Sequence, residues 1–157
     1  MCSADTTMLI VDSGPLVALL NRNDPDHERC AELLESYDGD RVVTAYILTE
    51  CCYLVGKYQG AEAEINLVES VYGGDLVQVF PGERDMARIA ELMRRYRGSP
   101  LGVADASVVA VAERLKLTDV AALDHRHFRA LVPDHVPAFT LLSRSGEETA
   151  RSARCRG

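Results

Sequence analysis

The chain has 157 residues, 47% of them hydrophobic, enough for one domain with a single core and no need of a disulfide frame or structural metal. Its net charge of −7 repels polyanions at long range, which counts against a passive nucleic-acid binder. It leaves room for an enzyme whose acids hold divalent cations, because bound metal reverses the local sign.

Five cysteines, Cys2, Cys30, Cys51, Cys52 and Cys155, form an odd set without C-x-x-C spacing, which points to reduced thiols and a cytoplasmic location. There is no charged leader before an apolar run, and no run approaches the ~18 residues a membrane span needs, so neither secretion nor a membrane partner is expected.

In chain order, residues 1–7 are polar. Met8 to Val11 then form an apolar, partly β-branched run that ends on Asp12, the pattern of a buried strand delivering an acid into a turn. Ser13-Gly14-Pro15 opens a short helix with Pro at its first position, and Asp24-Pro25 opens a second through Cys30, Leu33 and Leu34. A brief strand is expected over 41–44 and a helix over 46–58, in which Ile47, Glu50, Cys51 and Leu54 share one face. That spacing puts Glu50 on the apolar side.

Residues 61–72 read as an amphipathic helix, 76–80 as a strand, and Glu83 to Tyr96 as a helix whose end is crowded by Arg94, Arg95 and Arg97. The stretch Leu101 to Ala112 is rich in small residues, and Asp105 lies there on a core-facing stripe with Val108, Val109 and Ala112. Val120 to Asp124 mirrors the opening strand and acid, a helix follows from His125, and 138–142 reads as a last strand. Residues 143–157 form a polar, arginine-containing tail outside a single domain over 1–142. Short strands alternating with helices make this an α/β sandwich with a mainly parallel sheet of about five strands and about seven helices.

The chemistry lies in Asp12, Glu50, Asp105 and Asp124. Brought together, such carboxylates repel, at about 4 kcal/mol per pair for ~4 Å at an effective dielectric near 20. Mg²⁺ or Mn²⁺ relieves that repulsion, since hard cations prefer carboxylate oxygen and retain waters suited to phosphodiester hydrolysis. Individually, the same acids would serve equally well as helix caps or as salt-bridge partners of the arginines.

Leu9-Ile10-Val11-Asp12-Ser13, Thr49-Glu50, Val103-Ala104-Asp105-Ala106 and Leu123-Asp124-His125-Arg126-His127-Phe128 resemble, in order and spacing, the acidic motifs of PIN-domain ribonucleases, above all the VapC-type toxins. The resemblance spans about residues 8–142. It implies a PIN-like three-layer sandwich and a Mg²⁺- or Mn²⁺-dependent endoribonuclease, a homodimer restrained by a cognate antitoxin. Under it Asp12, Glu50, Asp105 and Asp124 are catalytic, with Asp12, Asp105 and Asp124 on the metal. Ser13, Arg126 and His127 support the metal shell or touch the RNA. The chain departs from the family pattern at Ala122, where a Thr is common. Two other classes fit less of the pattern: an inactive PIN-like interaction module, and a metal-dependent phosphatase or DNA nuclease.

Overall fold

The computed structural model describes residues 7–142. The first strand, β1 (Met8–Val11), is the centre of the molecule, with Leu9, Ile10 and Val11 wholly buried. An unbroken apolar run is what a parallel strand covered on both faces requires. Next come α1 (Ser13–Leu20), α2 (His27–Ser36), β2 (Asp40–Thr44), α3 (Ala45–Gln59), α4 (Ala61–Tyr72) and β3 (Val77–Val79). The second half contains α5 (Glu83–Arg95), α6 (Val103–Leu115), β4 (Asp119–Ala121), α7 (His125–Ala130) and β5 (Thr140–Leu142).

The five strands form one sheet in the order β3-β2-β1-β4-β5, and every pairing is parallel. The expected sandwich is therefore present, and the sheet is wholly rather than mainly parallel among the described residues. Order reverses at β1, so the chain winds outward from there in two directions. Ligand sites of open parallel sheets lie at such a reversal, beyond the carboxyl ends of the strands. Asp12 follows β1 at that point, and its N–H donates to the Ala121 carbonyl of β4 at 2.9 Å, carrying the ladder one residue further.

Several boundaries differ from the sequence reading. Helix α1 begins at Ser13 with Asp12 at the N-cap position, so Pro15 occupies the third helical position and not the first. Its missing N–H costs nothing there, because first-turn donors have no intrahelical acceptor. Helix α2 begins at His27, since Asp24 Oδ1 accepts from the Asp26 N–H at 2.8 Å and closes a local turn that keeps Pro25 outside the helix. Strand β4 ends at Ala121, leaving Asp124 in the following loop and not at the strand end. The domain boundary at 142 and the tail over 143–157 fall at and beyond the limit of the described residues.

Helix α6 explains the small residues of its segment. Ala104, Ala106 and the run from Val108 to Ala112 are all buried, so this helix is enclosed on nearly every side and long side chains have no room. It packs against β1, β2, α3 and α5. A carboxylate on its first turn is thereby fixed relative to the sheet.

Candidate active site

Asp12 has extended backbone geometry (φ −80°, ψ 168°) at the N-cap of α1, yet its side chain makes no capping bond. Its Oδ1 is buried with no hydrogen-bond partner among the described residues. A buried carboxylate oxygen without a donor is costly. Burial is the main cause that pushes the Asp12 carboxyl from its ordinary 3.8 to about 7; the nearby Ser13 backbone N–H opposes the shift, and the charges of Asp105 and Glu50 add to it. His127 pulls the other way. Asp12, Asp105, Glu50 and His127 therefore share one electrostatic neighbourhood, although they come from the β1–α1 junction, α6, α3 and α7.

Asp105 reaches back from the first turn of α6, its Oδ2 accepting the Gly102 N–H at 3.3 Å, and the residue is part-exposed. Glu50 corrects the sequence reading: it is exposed, whereas Ile47, Cys51 and Val55 of α3 fill the core. The face that spacing assigned to Glu50 is the margin of the apolar stripe, opening onto the cleft.

Asp124 is held differently. Its Oδ1 accepts from the Arg126 N–H at 3.0 Å, capping α7, and from Arg126 Nε at 3.1 Å, while Oδ2 accepts from Nη2 at 3.0 Å. These bonds lower its carboxyl to about 2. Asp124 is thus engaged with its own neighbour. Among the described residues no three His, Cys, Asp or Glu side chains converge into a ready-made ligand set. The capping bond and the Arg126 fork hold the Asp124 carboxylate to α7.

The residues do fit a hard divalent cation in another sense. The orphaned Oδ1 of Asp12 lacks any proton donor, and the charges of Asp105 and Glu50 add to its own, with only His127 opposing them. A cation relieves all of this at once. Beside the cleft, Cys51 is fully buried and its Sγ–H lies 3.8 Å from the Ser13 carbonyl; burial raises its thiol, which excludes it as a ready nucleophile.

Two contacts were not foreseen from the sequence. Thr44 and Ser107 hydroxyls meet at 2.7 Å inside the core, joining the start of α3 to α6. The clues were there: Thr44 stands immediately before a helical apolar pattern, and Ser107 is a lone hydroxyl amid small apolar residues. The second contact explains a glycine. A Cβ on Gly14 would meet Leu123 at 3.3 Å, so α1 packs its first turn directly on the loop that leads to Asp124.

The PIN-domain family model matches residues 9–132, which contain all of these acids. The chain belongs to the PIN-domain family. This PIN domain is 31% identical over 134 residues to ribonuclease VapC26 of Mycobacterium tuberculosis, covering 85% of the chain and 99% of that protein. Its fold is similar to that of Mycobacterium tuberculosis VapC20, a sarcin-ricin loop cleaving toxin, with a TM-score of 0.74, 19% identity, and 82% and 98% of the two chains covered. It also resembles VapBC2 of Rickettsia felis, solved bound to a DNA fragment from its promoter, with a TM-score of 0.62 at 16% identity over 87% of this chain and 98% of that one. No helix among the described residues is long and apolar enough to cross a membrane.

Proposed function

We propose that this PIN domain is an endoribonuclease toxin of the VapC type, using Mg²⁺ or Mn²⁺ and restrained by a cognate antitoxin. The observation that carries the reading is the buried, partnerless Oδ1 of Asp12 at the sheet's reversal point, under the charges of Asp105 and Glu50. Likeness to ribonuclease VapC26 over nearly the whole of both chains supports RNA as the substrate. An antitoxin partner is supported by the structural neighbours solved as toxin–antitoxin complexes, among them one from Klebsiella pneumoniae.

Asp12, with its partnerless Oδ1, and Asp105 would hold the cation, leaving its other positions to water and RNA phosphate. When bound, it supplies Lewis acidity and an activated water for attack on the phosphodiester. The chain's own groups do the rest. Asp12 enters as the ionised carboxylate, a form that the neighbouring His127 favours. Ser13, Arg126 and His127 orient the RNA. Asp124 fixes the guanidinium of Arg126 and caps α7, which keeps that orientation constant. Exposed Phe80, Met86 and Met93 offer apolar surface for the second copy of a homodimer.

The test is cleavage of a broad RNA panel by antitoxin-free protein. Cutting with Mg²⁺ or Mn²⁺, its loss in chelator, and a fall of more than about 100-fold in Asp12→Asn and Asp105→Asn are expected. Undiminished cleavage by both variants would sink the mechanism. A folded wild-type chain inert on every RNA would favour the interaction module.

A further inference from the structure

A groove of about 490 Å³ opens beside the acidic cleft, lined by Asp26 and Arg29 of the α2 start and by Leu123, Asp124, His125, Arg126 and Arg129 around α7. Three arginines converge here in a chain of net charge −7. Two of them, Arg126 and Arg29, are paired only with acids close to them in sequence. Arg126 is 88% exposed and its single acid partner, Asp124, occupies one edge of the guanidinium. Arg29 gives Nη2 to Asp26 at 2.8 Å, and its Nε is buried with no partner among the described residues. Both pairs are part-exposed and local in sequence, and each leaves part of its guanidinium open for an anion to share. Asp26 and Asp124 aim the forks, and guanidinium forks match phosphate oxygens in two-point geometry.

Position completes the argument. Leu123, in the wall of the groove, packs on Gly14, two residues after Asp12, and His127 of the same α7 acts on the charge of both Asp12 and Asp124. The groove wall therefore abuts the start of α1, two residues from Asp12. We propose that the α2–α7 groove binds the sugar-phosphate backbone of single-stranded RNA flanking the cleaved bond, with Arg29, Arg126 and Arg129 taking successive phosphates. This rests on the ribonuclease reading and adds where the strand lies. It also accounts for how an acidic protein holds a polyanion: attraction is confined to one track leading to the acids.

The test is fluorescence anisotropy of a labelled single-stranded RNA on the full chain in EDTA, across a salt series, with RNA integrity checked on a gel. Each lost phosphate contact on a single strand flattens the slope of log K against log[salt] by about 0.7. Arg126→Gln alone is expected to do that, and Arg29→Gln/Arg126→Gln/Arg129→Gln to flatten it by about 2. Lys57→Gln on α3 removes the same charge elsewhere and should leave the slope unchanged. Arg126 is so exposed that its variant keeps the fold, which circular dichroism checks. Wild-type slopes in both arginine variants, with wild-type cleavage intact, would overturn the groove alone. Loss of binding to a polyglutamate peptide with RNA binding untouched would assign the groove to an acidic protein segment and also overturn it. A wild-type chain that neither binds nor cuts any RNA would remove the ribonuclease reading, and the groove with it.

Discussion

The hydroxyls of Thr44 and Ser107 lie 2.7 Å apart in the core, and their protons run in one direction. Ser107 has one proton and gives it to the Ala104 carbonyl at 2.6 Å, so Thr44 must be the donor between the two. Thr44 Oγ1 in turn accepts the Ile47 N–H at 3.2 Å as the N-cap of α3. One short chain thus ties the helix that carries Glu50 to the helix that carries Asp105.

Ser107→Ala removes the acceptor of a buried hydroxyl, which costs about 1–3 kcal/mol in urea unfolding. Thr44→Val loses both this bond and the α3 cap, a similar or larger loss. The double variant should cost less than the sum of the two, since both remove the same contact. Strict additivity would show that the hydroxyls act independently.

Asp12 makes the chelated protein sensitive to pH. Its folded value of about 7 lies above the ordinary 3.8, so between these the folded state binds the extra proton and stability falls as pH rises. Above about pH 7 the whole penalty is present. Asp12→Asn should flatten this dependence, measured as melting temperature across pH 4 to 8 in EDTA. Mg²⁺ requires the ionised carboxylate, so it should raise the wild-type melting temperature more at pH 8 than at pH 5. An equal shift at both values would remove Asp12 from the cation site.

The loop before β5 is held by Arg88 of α5, which gives Nε and Nη2 to Glu113 of α6 at 2.9 Å and also pairs with Glu91 and Asp134. Glu113 Oε1 also accepts the Asp134 N–H at 2.9 Å. Arg88 and Glu113 side chains are only 13% and 12% exposed, so this is a shielded pair and not a surface one. Glu113→Gln should cost about 2 kcal/mol, because Arg88 keeps its other acids but loses a charged two-point partner. Amide exchange should accelerate at Asp134 first. Protection unchanged there would show that Glu113 does not anchor the loop.

Much of the fold was legible in the residues. The apolar run into Asp12, the small-residue helix around Asp105 and the alternation of strands with helices specified a parallel α/β sandwich, because hydrophobic periodicity reports burial directly. The bounds that shifted were set by local bonds invisible to periodicity, such as the Asp24 turn that delays α2.

By itself, the sequence determined the four acids and the order and spacing of the motifs around them, and hence the family to which the chain belongs. Only the tertiary structure decided which of them meet. Asp12, Asp105 and Glu50 share a field across three elements, while Asp124 is turned to Arg126, and Arg29 joins Arg126 and Arg129 from a distant segment. Spacing fixes which face of an element a side chain occupies. Whether its charge is left unpaired depends on donors that neighbouring elements bring to it, and those are set by packing.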